Sequence, residues 1–537
     1  MTAAETILAY HVATRHHFQR YARSAGRMDW ANQPNPFRIY DGAEPMPLPL
    51  PAVDPDLSYA GLYAQAGPEA QPLSAVTLGR FLAFSMGLSA WKQAGGERWA
   101  LRIHPSSGNL HPTECHLIVP SMEALPGGIY HYAPYYHALF RRAPVPPELW
   151  LPLATHLGGH GFLVALSTIF WRESWKYGER AYRYCNLDTG HVVAALALAA
   201  RLHGWQCRCL SGAGDDQISV LLGFDRTAWH PLEEEVPDLL AWVGPAADPS
   251  APRVLPAALV RPFGNFHMQG RPNRLSRQAV DWSIIPEADA AARKAATSAL
   301  ACRLPDEAVS YAPPPGPRAA AVIRQRRSAQ AFDPDQSIAV DVFLAILDRT
   351  RPRAGTPPFS AQIMTPAVDL LLFVHRVRDM TPGLYFFCRS EKGPDHYRPL
   401  CQPEFAWEAV RPAFPLWLLR AGDCTRDAMA LSCHQEIAGD GAFALAMLAP
   451  LAALVRARPF LYRHLHWECG LIGQVLYLEA EAHGLRGTGI GCFFDEPVNH
   501  LLGIGPEHLQ SLYHFTLGHP IEDRRLQTLG AYHHLHR

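Results

Sequence analysis

The stretch Asp188-Thr189-Gly190-His191-Val192-Val193-Ala194-Ala195-Leu196-Ala197-Leu198-Ala199-Ala200-Arg201-Leu202-His203-Gly204 decides the fold of this 537-residue chain. Leu187, His191, Ala194, Leu198 and Leu202 are spaced like one face of a buried helix, and Gly204 stands where such a helix is capped. When the chain is slid by 280 residues, the stretch returns. Gly190, Leu196, Leu198, Ala200, His203 and Gly204 fall on Gly470, Leu476, Leu478, Ala480, His483 and Gly484. The overlay runs without a gap from Asp188–Leu210 onto Glu468–Ile490. It continues through Asp215 over Asp495 and Leu221-Leu222-Gly223 over Leu501-Leu502-Gly503. Upstream, a slide of 255 lays Gly128-Ile129-Tyr130 over Gly383-Leu384-Tyr385. Ten identities across about 36 positions, with shared helix-to-turn punctuation, mark an internal duplication.

The repeat sets the domain expectation: an N-terminal arm (1–72), a first domain (73–270), a linker (271–318) and a second domain (319–537). A chain this long exceeds one ordinary core. Its 48% hydrophobic and 18% charged residues describe a folded protein, and its net charge of -1 makes no electrostatic case for nucleic acid or an anionic membrane. No run of ~18 apolar residues predicts a membrane span. The 11 cysteines include no Cys-x-x-Cys pair, so no metal site is expected, and the scatter reads as reduced cytoplasmic thiols. The prolines cluster in long ordered loops or linkers, among them Pro313-Pro314-Pro315-Gly316-Pro317.

Locally, Glu5–Arg23 predicts one helix, with His11, His16 and His17 on a partly exposed face. Residues 73–100 predict a helix pair. Cys115–Val119, the run from Gly128 and Phe162–Ile169 predict strands. His191 reads as a packing histidine. Between the strands, Pro105-Ser106-Ser107-Gly108-Asn109-Leu110-His111-Pro112 is an ordered polar loop. Cations and aromatics then alternate through Trp171–Tyr184.

The duplication is unequal where chemistry would sit. The loop Pro105–Glu114 lies over Ser360–Asp369, which lacks the Ser-Ser-Gly-Asn series. Nothing near residues 50–72 matches Arg326-Arg327-Ser328, whose guanidiniums and hydroxyl suit a phosphate. Each half keeps what the other lacks. Ser106 is not a hydrolase nucleophile, because the strand–nucleophile–helix elbow is absent. The Gly-rich stretch at 484–491 follows a helix rather than a strand, which argues against a dinucleotide fold.

Together, Arg326-Arg327-Ser328-x-Gln330-x-Phe332, the Pro105–Pro112 loop, Trp175-Lys176-Tyr177-Gly178 and Gly484–Gly491 resemble the flavin-dependent nitroreductase superfamily. Within it they are similar to the SagB/ThcOx-type dehydrogenases, which oxidise thiazolines and oxazolines in ribosomal peptides. The resemblance implies an α+β fold: two fused nitroreductase-like domains forming a pseudo-dimer within one chain, each a mainly antiparallel sheet wrapped by helices. It implies FMN in one composite site. Arg326, Arg327, Ser328, Gln330, Gly489, Ile490, Gly491 and the tail cation Arg525 would come from the second half, and Pro105, Ser106, Ser107 and Asn109 from the first. The family has Arg or Lys where this chain has Gln330, a departure that bears on the flavin's potential.

Lys176 and Tyr177 resemble the Lys-Tyr pair of azoline dehydrogenases. Lys176, with its pKa lowered by burial and by Arg172, Arg180 or Arg183, would be the base, and Tyr177 would relay the proton or hold the substrate. Alternatively, Lys176 pairs with Glu173 or Glu179 on a surface turn. The substrate expected is a small-molecule or peptide-derived heterocycle. Two rival functions stand beside this one: an NAD(P)H-dependent nitro or quinone reductase, and a non-catalytic flavin- or peptide-binding subunit.

Overall fold

Two helices of 22 residues, Ala181–Leu202 and Leu461–Ala482, pack face to face through the equivalent glycines of the repeat. A Cβ on Gly190 would run into the backbone of Trp467, and one on Gly470 into the carbonyl of Leu187. Only glycine lets the two backbones come this close. The computed structural model describes residues 1–245, 251–307, 309–311 and 316–535. The prolines 313–315 of the linker lie outside the described residues.

On either side of the helix pair lies a seven-stranded sheet with every neighbouring pair antiparallel. The first runs in the order Glu44–Pro47, Ala138–Pro144, Gly128–Ala133, Thr113–Val119, Phe162–Thr168, Val236–Pro245, Trp205–Cys209. The second runs Glu408–Arg411, Phe414–Ala421, Gly383–Phe387, Asp369–Val374, Phe443–Ala449, Gln510–Gly518, Arg486–Ile490. Strands at the sheet centres are buried along their whole length, as in Thr113–Val119 and Phe443–Ala449.

One buried ion pair occurs twice. Arg183 Nη1 donates to Asp495 Oδ1 at 2.6 Å, and Arg463 Nη2 to both oxygens of Asp215 at 2.9 Å. Each pair ties the start of one long helix to the short helix after the other, Asp495–Leu502 or Asp215–Leu222. Removing one partner of such a pair would leave a buried charge uncompensated.

Three local expectations are corrected. Residues 73–100 form one helix, Ala75–Ser85, then a hairpin, Leu88–Ala94 with Glu97–Arg102. Gly95 and Gly96 take the positive φ its turn needs, 56° and 90°. The N-terminal helix stops at Ala13 rather than near Arg23: Thr14, at φ −96° and ψ 13°, leaves the helical region and the chain turns into the His17–Arg20 bridge. His11 and His16 are buried, not partly exposed. The C-terminal strand Gln527–Leu529 crosses over to pair with Leu88–Ala94, so the tail of the chain closes over the first half. The arm likewise contributes Glu44–Pro47 to the first sheet while Arg15 pairs with Glu496 of the second half.

Candidate functional site

A cavity of about 420 Å³ opens where the two halves meet. That is within the roughly 300–1,000 Å³ range of small-ligand sites. Of the residues expected to hold a cofactor, Pro105, Ser106, Ser107, Asn109, Arg326, Arg327, Ser328, Gln330, Gly489, Ile490 and Gly491 all line it. Residues more than two hundred positions apart converge here because the loop follows the hairpin strand Glu97–Arg102, while Arg326 ends the helix Ala319–Gln325.

Arg525 is the exception. It is fully exposed and folds back on Asp523, with Nη2 donating to Oδ2 at 2.8 Å. A carboxylate two residues away takes its charge before it can reach the cavity. Asp523 and Leu526 line the wall instead. The cations that do line it, beyond Arg102, Arg326 and Arg327, are Lys92 and Arg486. Lys92 Nζ donates to Thr528 Oγ1 at 2.8 Å, and Arg486 pairs with Glu522 at 2.5 Å.

Arg326 is buried. Its Nε donates to Ile103 O at 3.1 Å and its Nη2 to Arg102 O at 3.3 Å, while its guanidinium lies 5.1 Å from the centre of the Tyr477 ring. Nη1 makes no hydrogen bond among the described residues. Arg327 donates to the carbonyls of Arg324 and Arg326. Tyr477 organises this wall: its hydroxyl meets Ser328 Oγ at 3.0 Å and accepts from Gly489 N at 2.9 Å. The Gly-rich stretch expected as a turn is the edge strand Arg486–Ile490, and Ser328 bridges Gly487 beside it.

The opposite wall is the loop. Asn109 sits at φ 60°, Nδ2 donating to Ala100 O at 2.9 Å, with Oδ1 2.9 Å from His111 Nε2. Ser107 donates to Asp188 through its backbone N–H and its hydroxyl, both at 3.1 Å. The polar side chains of this loop therefore hold its own shape. Gly108, φ 59°, leaves room that Lys176 and Tyr177 fill: a Cβ there would stand 2.7 Å from the Tyr177 hydroxyl and 3.1 Å from Lys176 Nζ.

Two carboxyls lie beneath the loop. Asp188 and Glu173 are buried, and Ser106 Oγ reaches Glu173 Oε1 at 3.5 Å. Burial pushes Asp188 up to about 7, and burial together with the Asp188 charge pushes Glu173 up as well. Glu173 Oε2 has no hydrogen-bond partner among the described residues. His104, His111 and His191 are held below the ordinary histidine range by desolvation. His191, read as a packing residue, is buried and also lines the cavity.

The arginines expected to act on Lys176 are engaged elsewhere: Arg172 with Glu114, and Arg180 and Arg183 with Asp495. No ion pair of Lys176 with Glu173 or Glu179 is present among the described residues, so the surface-turn alternative has no geometric support.

Sequence reasoning passed over Tyr477, Lys92, Arg486, Asp188 and Glu173 as site residues. An acid on the core face of an apolar helix was the available signal for Asp188. Tyr477 reads as core by spacing alone.

Cations along one wall, a polar loop along the other and about 420 Å³ between them give the cavity the charge to take an anionic ligand. Residues 70–232 match the sequence model of the nitroreductase family. No curated protein matches the chain. A structure described as a nitroreductase from Anabaena variabilis aligns over 96% of this chain and 99% of its own, at 23% identity and a TM-score of 0.66, a likeness of fold. The E. coli microcin synthetase McbBCD complex with truncated pro-MccB17 aligns over 37% of this chain and 70% of its own, at 17% identity and TM-score 0.28. The Vibrio harveyi NADPH:FMN oxidoreductase complexed with NAD+ aligns over 38% and 71%, at 14% identity and TM-score 0.22. Scores that low carry no argument about function.

Proposed function

We propose that the chain is an FMN-dependent oxidoreductase of the SagB/ThcOx type. In this reading it is a fused duplication, with an arm at 1–72, domains at 73–270 and 319–537 and a linker at 271–318, that makes one composite flavin site. Its substrate is an azoline-like heterocycle, free or within a peptide. The observation that carries the reading is the meeting of Pro105–Asn109, Arg326–Ser328 and Gly489–Gly491 around one cavity, with Lys176 and Tyr177 against its loop. The twofold recurrence of the arginine–aspartate pair and of the glycine crossing supports the pseudo-dimer. The place related by the repeat, where Trp205–Arg208 and Ser360 line a second cavity, has neither the Ser-Ser-Gly-Asn loop nor the Arg-Arg-Ser segment.

The residues fit FMN. Arg326, Arg327 and Ser328 would hold its phosphate, at roughly 1.5–3 kcal/mol for each charge-assisted bond. The Pro105–Asn109 loop and Gly489–Gly491 would flank its ring, and Gln330 would offer a neutral amide. When bound, FMN supplies reversible hydride acceptance. The chain's own task is then to orient the substrate and remove a proton from the position beside the carbon that loses hydride. Lys176 Nζ is the group assigned to take that proton, and the Tyr177 hydroxyl to hold the substrate or relay the proton.

Purified protein is expected to be yellow, with close to one FMN per chain. Two tight FMN per chain would remove the composite-site argument, and none would remove the flavin reading. Lys176→Ala is expected to keep FMN and lose azoline oxidation; unchanged turnover would take Lys176 out of the mechanism. Rapid reduction of the bound flavin by NADPH, without azoline oxidation, would decide for the reductase.

A further inference from the structure

One cysteine lines this cavity and a second lies beside it. Cys492 follows the edge strand and lines the cavity with Gln435, while Cys433 lies in the turn before Gln435. Backbone and side chain clamp the two segments together. Phe494 N donates to Leu431 O at 2.9 Å, and Gln435 Nε2 donates to both Ser432 O, at 2.8 Å, and Cys492 O, at 3.0 Å. Cys433 and His434 both take left-handed backbone, φ 53° and 59°, a conformation that non-glycine residues seldom hold in succession. These ties bring the Cys433 and Cys492 thiols beside each other, near enough for each to shift the titration of the other.

The surroundings set the two sulfurs apart. The neighbouring Cys433 thiol, with His16 and the Arg180 charge, pulls the Cys492 thiol below the ordinary thiol range against its burial. The same contact, with burial, pushes Cys433 up. Asp495 and the hydroxyls of Tyr21, Tyr177 and Tyr184 are further charged and titratable groups around the pair. Eight of the eleven cysteines are buried; Cys433 and Cys492 are two of the three that are not, and the third, Cys302, lies in another cavity. A thiolate-forming cysteine, partly accessible and next to a resolving thiol, is the arrangement that thiol–disulfide exchange requires.

We propose that Cys433 and Cys492 form a redox pair in the cavity wall that exchanges with low-molecular-weight disulfides of the glutathione class. The Cys492 thiolate attacks one sulfur of the disulfide, forming a mixed disulfide and releasing one thiolate. Cys433 gives its proton to that thiolate and attacks the Cys492 sulfur, closing the Cys433–Cys492 bond and releasing the second thiolate, which takes a proton from solvent. The protein dithiol is oxidised by two electrons and the small disulfide is reduced to two thiols. This assignment stands on the cysteine geometry and does not depend on the azoline reading.

The test uses the full-length protein as purified, equilibrated in oxidised or reduced glutathione, then alkylated, digested and mass-analysed. The oxidised sample is expected to yield a cross-linked peptide joining Cys433 and Cys492, two hydrogens lighter than the sum of its parts and absent in reduced glutathione. Cys433→Ser is expected to trap glutathione on Cys492 at several times the wild-type level, because the resolving thiol is gone. Both cysteines remaining alkylatable under oxidation, or glutathione accumulating equally on Cys492 in wild type and Cys433→Ser, would overturn the proposal. Circular dichroism of the variant shows whether it has folded, and the wild-type cross-link decides independently of it.

Discussion

Asp188→Asn tests the buried carboxyls beneath the loop. Asp188 is 2% exposed and accepts two hydrogen bonds from Ser107, while Glu173 stands beside it with one oxygen unpartnered. Burial raises its pKa from 3.8 to about 7. Between those values the folded protein holds a proton that the unfolded chain has released. The cost of burying Asp188 is therefore absent below pH ~4, grows as pH rises, and is complete above about 7. At ~1.36 kcal/mol per unit the full cost is about 4 kcal/mol, of which roughly 2–3 kcal/mol accrues between pH 5 and 7.5. Asn carries no titrating proton and can still accept from Ser107. Urea denaturation at pH 5 and 7.5 should show Asp188→Asn gaining on wild type by that amount at the higher pH. Asp238 and Glu479 occur in both proteins and cancel in the difference, whereas Glu173 loses the part of its rise that the Asp188 charge causes, which adds to the gain. An equal stability difference at the two pH values would refute the reasoning.

Gly470→Ala places a methyl against the Leu187 carbonyl and 2.9 Å from His191 N, so the long helices must separate. A loss of about 1–3 kcal/mol is expected in thermal unfolding; Gly530→Ala, with open space around it and no left-handed backbone, serves as the control. Arg326→Ala should weaken FMN binding by roughly 10–150-fold, the equivalent of one charge-assisted bond, as read by flavin fluorescence titration. Arg525→Ala should leave that affinity unchanged, because its guanidinium is exposed and held by Asp523.

The two long helices were legible because their pairing demands small residues at matched places: a Cβ on Gly190 or on Gly470 would meet the other helix's backbone. The loop was legible because Pro, Gly and Asn announce an ordered turn. Other features were hidden. Tyr477 looks like any core aromatic until its hydroxyl is seen between Ser328 and Gly489. The hairpin at 88–102 reads as a helix because its apolar residues fit either period, and Gly95-Gly96 is the turn signal that separates the two.

The sequence by itself determined the two long helices, the repeat that relates them, and the unequal placement of loop and arginine segment, since these rest on local periodicity and side-chain chemistry. Only the tertiary structure decided which residues share a cavity. Arg525 stands near the right place in sequence yet is captured by Asp523, whereas Lys92 and Arg486 arrive on a hairpin and an edge strand. Asp188 with Glu173, and Cys433 with Cys492, likewise meet only through folding. Such pairings depend on backbone crossings between segments distant in the chain, and those carry no local signature.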